Sequence, residues 1–299
     1  MRRISGRKKR EKLLAFVLLL PVLIVFSVFM FWPLIQTVWL SLYDWNMVSP
    51  EKHFVGFANY TAIFQDGSFV QILKNTGLYV LLFLAIDFAV PYLVSCILAF
   101  AVKKMTAFYK SALFLPSLLS LVTAALIFSW LFNPIAGPLS KLFALFGQRF
   151  PNWAQTNGLV IVVLSIITSW KLFGYNLIVL LAGVSSIPLE LIETARLEKT
   201  PPLEVFFRII LPLSSSTGIY TLIITIVWGL QWVFTPINIL TAGGPDKGSL
   251  NIIYEVYDQA FTFFNTGKAS AWGLVTLLLF SALLFLEFRY VEKGIYYEN

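Results

Sequence analysis

Residues 188–212 read PLELIETARLEKTPPLEVFFRIILP. Seven charged side chains stand in them (Glu190, Glu193, Arg196, Glu198, Lys199, Glu204 and Arg208), although only 12% of the 299-residue chain is charged. The surroundings are apolar: 58% of residues are hydrophobic, 16% are aromatic and mean hydropathy is +0.80. A soluble domain has no interior able to hide that much apolar surface, so the excess must face lipid. An island of charge between lipid-compatible runs is therefore a structured surface offered to water, and to a partner within it.

Outward from the island, apolar runs long enough to cross about 30 Å of hydrocarbon fall at about 13–38, 74–101, 111–132, 158–182, 216–238 and 269–290. Transmembrane β-strands would need short alternating segments; these runs are continuous. The expectation is an all-α polytopic membrane protein with six transmembrane helices. A basic tail, 1–12, precedes a single membrane domain, 13–290, and a short tail, 291–299, follows it.

Lysine and arginine set the orientation. With the N-terminus inside, seven lie in the tail, three in 102–110, three in 183–215 and two in 289–299. Only Lys52, Lys74, Lys141, Arg149, Lys247 and Lys268 fall outside, so both termini and the island are expected in the cytoplasm. The opening MRRISGRKKREK is read as part of a retained anchor, because no small-residue cleavage site follows it. The net charge of +7 is explained by membrane lipid headgroups at the mouth of the first span, not by nucleic acid. Cys96 lies in an apolar run, and His53 is the lone histidine, so neither a disulfide, a zinc site nor histidine catalysis has its residues. No GxxxxGK[ST] phosphate loop is present, and no catalytic residues or metal ligands are assigned.

The island reads as two short helices. Ser186 can cap the first, with Pro188 near its first turn. Thr200, Pro201 and Pro202 force a break. In the second, Leu203, Phe206, Phe207, Ile210 and Leu211 follow helical spacing, Glu204 and Arg208 can pair at i and i+4, and Pro212 is expected to end the helix.

This pattern resembles the EAA loop of ABC-importer permeases, standing here as Glu193-Thr194-Ala195, Glu198-Lys199-Thr200 and Leu211-Pro212. VGFANYTAIF at 55–64, FLPSLLSLV at 114–122, LFNPIAG at 131–137 and LTAGGP at 240–245 are similar to the carbohydrate-importing, maltose-permease-like branch. The resemblance covers essentially the whole chain. It implies a coupling-helix loop, about 183–215, gripped by a homodimeric or heterodimeric ATPase that binds the ATP and Mg. It also implies a second six-span permease, an extracytoplasmic solute-binding protein and a bacterial plasma-membrane location. Glu193 would be the anchoring carboxylate, with Ala195 allowing close approach to the ATPase. Lys199 takes the place of the family's glycine, so a turn of different form is expected there, imposed by the proline pair.

Inside the spans, Asp87 and Lys171 either pair with each other or line a polar path. Two polar stripes are marked, Thr168, Lys171 and Tyr175 in the fourth span and Trp228, Gln231, Thr235 and Asn238 in the fifth. They serve either helix packing or a sugar-sized cavity. The resemblance places Tyr175 and Gln231 where substrate contacts would lie. The turn LTAGGPDKGS is either a plain turn or a contact for the binding protein. FRYVEK at 288–293 and SWKLFGYN at 169–176 also look like permeases for glycerol 3-phosphate, which leaves the cargo open between a sugar and a polyol phosphate. An ion-coupled secondary transporter would need inverted repeats with broken half-helices, which the sequence lacks.

Overall fold

The computed structural model of the chain describes residues 2–102 and 104–290. The tail 291–299, Lys103 and the side chains of the basic tail 1–12 lie outside the described residues. The principal helices are α1 (Leu14–Leu40), α2 (Ser68–Phe100), α3 (Thr106–Leu118), α4 (Leu121–Leu131), α5 (Leu159–Ser185), α6 (Leu189–Leu197), α7 (202–213), α8 (Ser215–Thr241) and α9 (Thr266–Phe285). Of these α1, α2, α5, α8 and α9 are each long and apolar enough to cross a membrane. The third expected span, 111–132, is not one helix: α3 and α4 meet at a bend of 97°, and counted together as one span they make a sixth candidate crossing. The sequence shows an unbroken apolar run there, because a break lined with Leu and Ser leaves hydropathy unchanged.

Prolines shape the long helices. π turns at Ser27–Phe31, Leu84–Ala89 and Phe206–Ile210 each end two residues before a proline, Pro33, Pro91 and Pro212. In each case the residue between, Trp32, Val90 or Leu211, sends its N–H back five residues, to Ser27, Ala85 or Phe206. Proline has no N–H, and its ring clashes with the carbonyl four residues earlier, so a widened turn relieves the clash without ending the helix. Pro212 accordingly does not stop α7, which stays helical through Leu213. In lipid the freed carbonyl still needs a donor. At Pro91 that carbonyl belongs to Asp87, and the Asn176 side chain of α5 donates to it at 2.6 Å.

The chain forms two compact units. One comprises residues 1–65 and 256–275. It contains a small antiparallel hairpin, β1 (Tyr43–Asp44) with β2 (His53–Phe54), beneath the short helix Ala58–Gln65. Asn59 donates to the carbonyls of Ser41 and Tyr43 at 2.8 and 3.0 Å, fixing the hairpin to that helix. Aromatic side chains gather around the hairpin, where Trp39 packs on Tyr43 at 4.5 Å and the Lys52 ammonium lies over the rings of Trp39 and Trp45 at 4.9 and 3.9 Å.

The other unit, 66–255 with 276–299, is built around α5. Ile161, Leu164, Ile167, Leu172, Leu177 and Val184 of this helix are fully or almost fully buried against α2, α3 and α8. Between helices already in lipid, close packing rather than water exclusion holds contacts together, and small residues permit it. A Cβ on Gly174 would collide with the Leu113 carbonyl and Phe114 of α3, and one on Gly229 of α8 with the ring of Phe83. The loop after α8 is tied to the start of α2. Asn75 donates to Lys247 O and Leu250 O at 2.9 and 3.1 Å, and the Tyr79 hydroxyl donates to Ser249 O at 3.0 Å.

Candidate functional site

The charged island folds as two helices with one face inward. In α6 Ile192 and Ala195 are buried, and Ile192 packs together with Ile210 of α7, Tyr92 of α2, Leu180 and Val184 of α5 and Ile187 just beyond it. Arg196 donates to Phe100 O at 2.8 Å, tying α6 to the end of α2. At the base of α7 the Tyr92 and Ser214 hydroxyls share a 2.6 Å hydrogen bond. The expected Glu204–Arg208 pair forms at 2.8 Å.

Several details differ from the sequence reading. Ser186 does not cap α6; its hydroxyl donates to Gly183 O at 2.8 Å and closes α5, and Pro188 precedes α6 without a side-chain cap. Ala195 is small because it packs inward on its own chain, not to admit a partner. The inward face of α7 is Val205, Phe206, Ile209 and Ile210, whereas Leu203 and Phe207 are 72% and 61% exposed. Leu211 and Pro212 are half-buried, with Leu211 packed on the same cluster.

The turn at Lys199 keeps the form a glycine would give it. Lys199 has φ +57°, its N–H reaches Arg196 O at 3.0 Å, and the Thr200 N–H reaches Ala195 O at 3.0 Å. Those two bonds are the Schellman closure of a helix, which requires a left-handed residue at this place. The expectation of a different turn is therefore wrong: the two backbone bonds outweigh the cost of a side chain in that region. Glu193, Thr194, Glu198 and Lys199, with Leu197, Leu203 and Phe207, form the exposed outer surface.

A second candidate surface lies on the facing sides of α5 and α8. Trp228 and Trp232 stack at 5.3 Å with planes 7° apart, and Tyr175 packs on Trp228 at 5.1 Å. The Tyr175 and Tyr220 hydroxyls approach to 3.3 Å, and the Lys171 ammonium sits 5.3 Å from the Trp232 ring. Gln231 is exposed and Thr235 half-buried on the same helix. The row continues into an open groove of about 510 Å³ lined by Ile178, Val179, Ala182, Ser216, Thr217 and Tyr220. Flat rings beside hydroxyls and an amide are what a polyhydroxylated solute needs.

Asp87 and Lys171 do not pair. Asp87 is fully buried and its Oδ2 accepts from Ser169 Oγ at 2.6 Å, while Lys171 donates to the carbonyls of Ser117 and Leu119 at 2.8 and 2.6 Å. Asp87 lies in the packed interior and not on the aromatic row. Thr168 is also buried, bonded to Leu164 O in its own helix, and Asn238 accepts from the Tyr254 hydroxyl at 3.1 Å. The stripes are thus shorter than their spacing suggests. Tyr220 and Trp232 also belong to the row; Trp232 lies one turn beyond Trp228, a spacing that signals it.

Residues 89–296 match the model of the family described as binding-protein-dependent transport system inner membrane component. A probable ABC transporter permease protein of Bacillus subtilis, YurN, is 31% identical over 288 residues, covering 95% of this chain and 98% of its own. The sn-glycerol-3-phosphate transport system permease protein UgpA of Escherichia coli is 30% identical, covering 97% of each chain. Among solved structures, a chain of a bacterial ABC transporter involved in import of the acidic polysaccharide alginate superposes with a TM-score of 0.81 at 22% identity, covering 97% of this chain and 99% of that one.

Proposed function

Because the chain belongs to the binding-protein-dependent transport system inner membrane components, we propose that it is one of two permeases of an ATP-driven bacterial importer for a sugar or oligosaccharide. The observation that carries the mechanism is the island's two-faced packing. Ile192 and Ile210 fix it to the ends of α2 and α5, while Glu193, Leu197 and Phe207 face outward. A rigid amphipathic element with a free outer face suits a groove in a cytoplasmic ATPase, which hydrolyses ATP with Mg on its own subunits. Movement of that ATPase would then reach α2 and α5 through the same contacts, rocking the two permeases between outward- and inward-open states.

The path for solute runs along Tyr175, Trp228 and Gln231, with Thr235 beyond, in this reading. A binding protein delivers solute from outside, with both termini and the island in the cytoplasm. The cargo of the glycerol-3-phosphate relative supports a second reading, the same machine moving a polyol phosphate. Against it, the Lys171 ammonium is already engaged by two carbonyls, and a phosphate site normally recruits arginine. The test is Glu193→Arg in the assembled complex. Membrane insertion should persist while binding-protein-dependent uptake falls at least tenfold. Full energised uptake in that variant would discard the coupling role.

A further inference from the structure

The break between α3 and α4 sets backbone groups free inside a crossing segment, where lipid offers them no hydrogen bonds. On the α3 side, Lys171 Nζ donates to Ser117 O at 2.8 Å and to Leu119 O at 2.6 Å, and Ser117 Oγ donates back to Lys171 O at 2.8 Å. On the α4 side, Ser120 Oγ accepts from the Thr123 N–H at 3.1 Å. Gly174, one turn along α5 from Lys171, lets α3 lie against the helix backbone at Leu113 and Phe114. A third side of the ammonium faces the Trp232 ring at 5.3 Å.

These contacts answer two problems at once. A lysine within a span is expensive unless it finds acceptors, and the C-terminal carbonyls of a half-helix carry partial negative charge that favours a cation. We propose that Lys171 is a positioning residue, a tethered cation that caps the C-terminus of α3, holds the 97° break and seats Trp232 at the end of the aromatic row. On the permease reading this gives the wall of the solute path its shape, and it removes Lys171 from the groups available to bind an anionic solute.

The test uses the full chain in its assembled transporter, with nitroxide labels on cysteines at Tyr109 and Trp130, both exposed. The two sites lie on opposite sides of the break. Straightening would lengthen their separation by on the order of 10 Å, from the 1.5 Å rise per helical residue. Lys171→Met, which keeps the length and loses the charge, should shift the distance distribution outward, and Lys171→Arg should restore it. An unchanged distribution in the methionine variant would overturn the proposal. If the methionine variant fails to accumulate, the arginine variant decides. Native distances there support the tethered cation, and failure of both shows that shape rather than charge is required. Failure of the native chain to bind an ATPase, which would count against the permease reading itself, is measured separately and leaves these distances unaffected.

Discussion

Ser169 Oγ donates to Asp87 Oδ2 at 2.6 Å, joining α5 to the widened turn of α2, while Asp87 Oδ1 and Asn176 Oδ1 are both buried without a hydrogen-bond partner. An ionised carboxylate held by one hydroxyl in a dry interior is poorly compensated. Its charge is therefore dispensable to the fold, and its hydrogen-bonding shape is not. Asp87→Asn is expected to accumulate at the native level with an unchanged or higher thermal midpoint. Asp87→Leu, which leaves the Ser169 hydroxyl without its acceptor, should cost about 1–3 kcal/mol. The exchanged pair Asp87→Lys with Lys171→Asp should transport no better than either single variant. Recovery in that double variant would establish an ion pair that the geometry denies.

Lys199 occupies the left-handed region at φ +57° to complete the closure of α6. A side chain there costs about 1–2 kcal/mol, and glycine removes that cost at some loss of unfolded-state entropy. Lys199→Gly should therefore stabilise the complex by about 1 kcal/mol, raising the thermal midpoint by about 2 °C. Lys199→Val should lower it. A glycine variant that melts below the native protein would show that the lysine side chain makes a contact with the partner worth more than the strain.

How far the sequence can be read differs from element to element. The two-helix island is legible because Pro201 and Pro202 punctuate it and Glu204 and Arg208 fall one turn apart. The inward face of α7 is not. The stripe Leu203–Phe207 and the stripe Phe206–Ile210 are equally apolar and equally periodic, and only Tyr92 and Val184 choose between them. The α3–α4 break escapes detection because hydropathy registers composition, whereas the break is stabilised by a lysine 52 residues away, donating to Leu119. Likewise the row at Tyr175 and Trp228 follows from helical spacing, yet the same spacing includes Thr168, which turns its hydroxyl onto its own helix.

The stacked pair Trp228 and Trp232 presents a flat apolar face beside Tyr175. Removal of one ring of such a stack costs about 0.5–1.5 kcal/mol beyond its area. Trp228→Ala should therefore raise the half-saturating concentration of solute-loaded binding protein in stimulated ATP hydrolysis several-fold, with basal hydrolysis unchanged. Tyr175→Phe, which removes only the 3.3 Å hydroxyl contact to Tyr220, should have a smaller effect. Equal loss of basal and stimulated hydrolysis in Trp228→Ala would make the ring a packing element and not part of the path.

Leu203 and Phe207 stand one turn apart on α7, exposed at 72% and 61% beside the charged edge of α6. Apolar side chains in water on a two-faced element are poised for burial by a partner. Each fully buried side chain of this kind is worth about 1.5–3 kcal/mol. Phe207→Asp should then weaken ATPase association tenfold or more, at 1.4 kcal/mol per decade, while lowering stability by no more than about 0.5–1.5 kcal/mol, since the exposed ring packs edge-on against Phe206 at 5.1 Å. Ile210→Ala is the contrast. It empties a buried position between α2 and α5 and should destabilise the permease by about 2–5 kcal/mol. Titration of the purified ATPase onto the detergent-solubilised permease separates the two effects. If Phe207→Asp binds the ATPase with native affinity, the outer face of α7 is not where the motor grips.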